Sequence, residues 1–430
     1  MLTFSILLVS LVTSLLVSGC KYSSVGMAEN RVNAAPVWSE AAEPYRLSTV
    51  DTNASEPAIA VSHAGKVYVV WVDHVTKHQA NVMIGRLDHN GQMEGSPVRV
   101  NTQPGMATAW RGDPPTVAIA PSGSIFVGWT GHVRSESGHS SVIYLSASHD
   151  DGRTFGQPVK VNDDSKPGPH GMHSLAIGNN GRIYVAWLDE RNITKAPSTE
   201  IKSGHDMEAN RDLFVSWSID GGKSFSPNQR VATEVCPCCK TAMAIASDGR
   251  VYLSWRQVLP GDFRHIAVAS LGKEAKSFTD PVIVSDDEWM IKGCPVSGPA
   301  LSVADDNKLR VTWYTGFESG PHGIFWSEST DSGRTFSPRR LLHENLVQGT
   351  PVLVNENEGT AIAIWETIEK GVPRLLVAPL ADSEQGKQHP GLVGSGQLPA
   401  ATISGNQLFV LAVEPEGDKK TVWLLRAQRN

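Results

Sequence analysis

Six segments of the chain repeat one pattern: an apolar run, a turn rich in Gly, Asp or Asn, and a second apolar run ending in Trp. They read EPAIAVSHAGKVYVVW, PTVAIAPSGSIFVGW, HSLAIGNNGRIYVAW, TAMAIASDGRVYLSW, PALSVADDNKLRVTW and TPVLVNENEGTAIAIW. The closing residues are Trp71, Trp129, Trp187, Trp255, Trp313 and Trp365, spaced 52 to 68 residues apart, and PAATISGNQLFVLAVEP continues the series without Trp. Apolar residues alternate with period two in each run, which is the strand signature. Two more strand-like runs follow each pair, such as SVIYLSASHD and QPVKVN. Four strands per repeat at this period predict an all-β fold, a β-propeller of seven four-stranded blades, with six as the alternative count. The last repeat has only three strands before the chain ends. The run Tyr45-Arg46-Leu47-Ser48-Thr49 can supply the fourth by pairing with residues 420–427, which would close the propeller and remove an open sheet edge.

The remaining composition narrows the class. Of 430 residues, 40% are hydrophobic and 19% charged, enough apolar material for a folded core. The formal net charge is −6, so no basic excess favours a nucleic-acid partner. The first twenty residues, MLTFSILLVSLVTSLLVSGC, form an apolar stretch ending in Leu16-Val17-Ser18-Gly19-Cys20. Small residues before a cysteine resemble the lipobox of bacterial lipoproteins. That resemblance implies a signal peptide over 1–19, lipidation of Cys20 and a membrane partner through the lipid. Lys21 rather than Asp after it implies the outer membrane of the cell envelope. A short N-terminal membrane anchor is the other reading. Residues 20–44 read as a tether and 45–430 as the propeller. Either anchor puts the body outside the cytoplasm, where thiols oxidise.

Three segments share the motif S-x-D-x-G-x-[ST]-F: Ser148 to Phe155, Ser218 to Phe225 and Ser329 to Phe336, with degenerate copies at 87–93 and 270–278. The motif resembles the Asp-box of sialidase-like propellers (BNR repeats), and the likeness covers nearly all of 45–428. Its physics is local. Asp accepts backbone N–H groups across a tight turn, and Gly permits positive φ. The boxes join third and fourth strands on the face away from the ligand side, so they carry no catalytic role.

The ligand side holds the residues before each first strand and just after each Trp. Glu56, Arg111, Asp113, His170 and His173 belong to the first group; Asp73, His74, His132, Asp189, Arg191, Arg256 and Tyr314 belong to the second. The sialidase resemblance implies a carboxylate clamp of Arg111, Arg191 and Arg256, with Tyr314 and Asp113 as catalytic residues. Hydrolysis and lectin-like binding of a glycan are both open on this reading. Four cysteines remain beyond Cys20. Cys236 and Cys294 each stand 19 residues before their Trp and precede Pro, while Cys238 and Cys239 share the first loop. They read as disulfides, Cys236 with Cys294 being one pairing, as a copper or zinc site completed by His170, or as free buried thiols. Three functions follow: a glycan-directed propeller that requires no cofactor, a metal- or redox-handling envelope protein, or a protein-interaction scaffold.

Overall fold

The computed structural model describes residues 38–429, apart from 77–78, 136–137, 166–167, 194–208, 292, 294, 305, 317–319, 345–346, 357–358 and 381–389. The described residues contain strands and no α-helix. The strands make antiparallel units of four. Sheet 1 comprises Asn53–Val61, Val67–Thr76, Gln79–Leu87 and Val98–Arg99. Sheet 2 comprises Thr116–Ile119, Ile125–Ser135, Gly138–Ser148 and Val159–Lys160. Sheet 3 has His170–Ile177, Ile183–Asp189, Arg211–Ser218 and Gln229–Val235, and sheet 4 has Ala242–Ile245, Val251–Leu259, Phe263–Leu271 and Val282–Ile283. These two are joined by one pairing, Val235 with Gln257. Sheet 5 has Ala300–Val303, Leu309–Thr315, Gly323–Ser329 and Arg340–Glu344; sheet 6 has Val347–Asn355, Ala361–Glu369, Val372–Pro379 and Gly391–Ser395.

Sheet 7 draws on both ends of the chain. Gln397–Ser404, Gln407–Glu416 and Lys419–Arg429 are joined on the outside by Trp38–Arg46. The register runs from Trp38 opposite Arg429 to Arg46 opposite Trp423, and Leu47 N–H continues it to the Val422 carbonyl. The pairing expected for residues 45–49 is therefore present, but the strand begins at Trp38, ahead of the expected propeller start at 45. Register shifts around Ala42 and Tyr45 accommodate Pro44, which has no N–H to give the ladder.

The six repeat tryptophans are at most 1% exposed and lie on the second strands. Each packs against the preceding sheet. Trp71 meets Leu411 and Leu424 of sheet 7, Trp129 meets Val70 and Val82 of sheet 1, and Trp187 meets Phe126 and Ile143 of sheet 2. Trp255, Trp313 and Trp365 repeat this against sheets 3, 4 and 5. Between sheets 6 and 7 the filling is aliphatic, with Trp38 added. First strands touch in the order of sheets 1 to 7, and the first strand of sheet 7 touches that of sheet 1.

The three S-x-D-x-G turns behave as their chemistry requires. Asp220 accepts from Ser218 Oγ at 2.7 Å, from Lys223 N and Ser224 N at 3.0 Å, and from Ser224 Oγ. Gly222 sits at φ 81° and donates to Ser218 Oγ. These donors hold the Asp150, Asp220 and Asp331 carboxyls well below the usual carboxylate range. Phe155, Phe225 and Phe336 fold back into the clefts between sheets.

One consequence is testable. A chain beginning at residue 47 lacks the outer strand of sheet 7, and we expect it to melt at lower temperature and to aggregate through the exposed edge. A chain beginning at residue 36 serves as control in thermal melts and size-exclusion chromatography. Equal melting of the two would contradict a structural role for this strand.

Candidate functional site

First-strand starts and second-strand ends lie at one end of the sheets, and that end contains a cavity of about 70 Å³. Glu56, Arg111, Lys240, Val296, Glu366 and Leu398 line it, drawn from six of the seven sheets and the loops leading into them. The backbone here is strained. Glu56 (φ 50°), Met172 (55°), Val296 (46°), Gly349 (73°) and Leu398 (55°) stand at or just before the first strands of five sheets, all left-handed. Such a conformation costs a non-glycine residue about 1–3 kcal/mol and persists where the surroundings over-determine it. Register shifts accompany it in sheets 1, 3, 6 and 7.

The charged groups are arranged in pairs. Glu366 is buried, receives Arg111 Nη2 at 2.9 and 3.0 Å on its two oxygens, and also accepts Leu398 N–H at 3.0 Å. Glu56 is 2.6 Å from His74 Nε2. Asp113 accepts Thr130 Oγ1 at 2.6 Å and pairs with His173 Nδ1 at 3.2 Å. Burial alone would raise the Asp113 carboxyl, but His173 and Thr130 outweigh it and the net direction is down. Lys240 differs from these. Among the described residues its ammonium has no hydrogen-bond partner, and burial lowers it to about 8 against the opposing charge of Asp113. Gly298 holds this loop close: a Cβ there would stand 2.1 Å from the Lys240 carbonyl oxygen.

The arginines expected to clamp a carboxylate each have partners of their own. Arg111 serves Glu366. Arg191 binds Asp189 at 2.8 Å, Asp163 at 2.7 Å and Asn228, and lies over the Phe214 ring. Arg256 is fully buried, gives Nε and Nη2 to the Ser297 carbonyl and Nη2 to the Tyr314 carbonyl, and stacks over Trp289. Tyr314 sets its ring edge-on to Trp289, and burial raises its phenol. Arg111 lines the cavity, whereas Asp113 is buried against Thr130 and His173.

The cysteine loop is buried, and the sulfurs of Cys236, Cys238 and Cys239 lie within 4.8 Å of one another. Cys236 and Cys239 are free, with sulfurs 3.4 Å apart. Cys238 is disulfide-bonded, so while that bridge holds it offers no thiolate. The bridge sketched for Cys236 is thus not formed. Its thiol faces Cys239 instead, three residues along the same tight loop. Cys294 and Cys20 lie outside the described residues. Burial opposes ionisation of Cys239, but the neighbouring Cys236 thiol, the Arg256 guanidinium and the Ser297 N–H bring it down to about 7, while the shared hydrogen bond and burial push Cys236 up.

His170 does not turn its free nitrogen to the cysteines. Its Nε2 lies 3.2 Å from Asp164 and 3.3 Å from Asp189, and its Nδ1 donates to the Ser141 and Gly168 carbonyls. Burial alone would lower it; the two carboxylates raise it to about 9. The register shift between Gly171 and Ser174 re-aims this stretch, which alignment by count from the Trp cannot register. Lys240 and Glu366 escaped the sequence reading. Glu366 directly follows Trp365, the same position that flagged Arg256 and Tyr314.

No protein-family model matches the chain, and no curated protein matches it. Solved structures do resemble it. A Dyadobacter fermentans protein of unknown function shares 10% identity, with 92% of this chain and 100% of that one covered and a TM-score of 0.54. An ulvan lyase representing a new family of polysaccharide lyases shares 12% identity over 89% of this chain and 95% of that one, TM-score 0.55. The Hadza microbial sialidase Hz136 shares 16% over 75% of this chain and 66% of that one, TM-score 0.50. The fold is a sialidase-like β-propeller.

The His170 cluster predicts a pH effect. A base raised from 6.5 to about 9 on folding contributes stability that is complete below pH 6.5 and lost as pH rises through about 9. By linkage the difference is roughly 3 kcal/mol. Melting temperature should therefore fall between pH 7 and 10 in the wild type, and His170→Gln should flatten that slope. An unchanged slope in the variant would contradict a charged His170.

Proposed function

We propose that the seven sheets are the blades of one closed propeller, lipid-anchored through Cys20 at the bacterial outer membrane, whose channel mouth binds an acidic glycan. The cyclic order of first-strand contacts and of intersheet packing supports the ring. The single observation behind the ligand is Lys240, a cation in a cavity with no hydrogen-bonding partner among the described residues, next to the Arg111–Glu366 pair. A water takes about 30 Å³ in the liquid. A cavity of about 70 Å³ has room for a carboxylate. The carboxylate enters, and the rest of the sugar lies across the mouth. Binding rather than hydrolysis is the reading. The arginines expected to clamp a substrate, Arg191 and Arg256, are tied to partners of their own, and the Tyr314 ring packs edge-on to Trp289.

The test is titration calorimetry with a uronic-acid trisaccharide and its carboxyl-reduced neutral counterpart. A hydrogen bond to a charged group is worth about 1.5–3 kcal/mol, so the acid should bind roughly 10- to 100-fold more tightly. Lys240→Met should erase that preference, and it should fade in the wild type as pH rises through about 8, where Lys240 loses its proton. Equal affinity for both sugars, or binding of neither, would overturn the reading. Palmitate labelling of the chain and of Cys20→Ser tests the anchor; label retained on the variant would count against it.

A further inference from the structure

The glycan reading uses Lys240 at the end of the buried cysteine loop but not the thiols that precede it. Two free thiols lie 3.4 Å apart in an interior that excludes solvent. Two guanidiniums, Arg256 and Arg264, act on Cys236. Among the described residues, three of their nitrogens, Arg256 Nη1 and Arg264 Nε and Nη1, are buried without a hydrogen-bonding partner. A buried donor left without a partner is costly, more so when it is charged. Arg256 borders the pair, its carbonyl accepting Cys236 N–H at 2.9 Å, and guanidinium charge acting on two neutral thiols favours added negative charge there.

We propose that Cys236 and Cys239 form a digonal bis-thiolate site for Cu(I). Each thiol loses its proton, two Cu–S bonds form, and the unit carries a net charge of −1 with no change of oxidation state. That anion sits against Arg256 and Arg264. Taking the zinc–thiolate length of about 2.3 Å as a guide, two sulfurs in line with a metal stand roughly 4.6 Å apart. Side-chain rotation that opens the present 3.4 Å by about 1 Å is sufficient. Zinc prefers four ligands, and this cluster holds cysteines alone, one of them already bridged. Soft thiolates at low coordination select Cu(I).

The experiment is anaerobic titration of the full chain, reduced mildly so that Cys236 and Cys239 are thiols while the Cys238 bridge is kept, with Cu(I) against a colorimetric Cu(I) chelator, alongside a thiol count and a zinc competition. One copper per chain should bind, two titratable thiols should disappear, and zinc should not displace it. Cys236→Ser and Cys239→Ser should each weaken binding by more than the roughly 10- to 100-fold that loss of an outer-sphere partner causes. Melting curves confirm that each variant is folded, and either variant alone suffices. Failure of the reduced wild type to take up copper, zinc displacing copper mole for mole, or copper retained by both serine variants would each overturn the proposal. So would a pair isolated as a disulfide that, once reduced, binds no copper; that outcome would make it a redox pair.

Discussion

Packing between sheets organises everything else in this molecule. A strand alternates its side chains, so a Trp that points at the preceding sheet forces its neighbour toward the following one. Each Trp fills the cleft behind it, and the next residue acts on the sheet ahead. Leu188 packs with Cys236 and Trp255 of sheet 4, Tyr314 packs against Trp365 of sheet 6, and Glu366 accepts the Leu398 N–H of sheet 7. Arg256 binds carbonyls of sheet 5 in the same sense. One apolar stripe thereby generates a set of forward polar ties at the mouth.

Those ties carry strain and charge together. The left-handed residues Glu56, Val296, Gly349 and Leu398 line the same cavity as Arg111, Lys240 and Glu366. Arg111 and Glu366 come from sheets on different sides of the mouth, and their pairing holds one cation in place with its charge already answered. Lys240 feels the charge of Asp113 but has no hydrogen-bonding partner among the described residues. The His170 cluster shows the alternative. There two carboxylates surround an imidazolium completely, and the group is structural.

The sequence made the repeats legible because Trp and the S-x-D-x-G turn are local signals: one needs a large cleft, the other a tight turn. The outer strand of sheet 7 was legible as an absence, since a three-stranded last repeat leaves an edge to cover. The proximity of Cys236, Cys238 and Cys239 followed from adjacency in one loop. Long-range pairing was not legible. Arg111 finds Glu366 across 255 residues, and nothing near either residue announces the other. His170 was misdirected for a different reason. Counting back from the Trp assumes an unbroken ladder, and a bulge with Met172 at φ 55° breaks it.

The most direct measurement is a crystal structure of the chain with a uronic-acid trisaccharide bound. The account predicts the carboxylate in the mouth cavity, within hydrogen-bond distance of Lys240 Nζ, with the sugar rings outside it and the Arg111–Glu366 pair intact. A sugar bound on the face of the S-x-D-x-G turns, or at the mouth with its carboxylate turned to solvent, would contradict it.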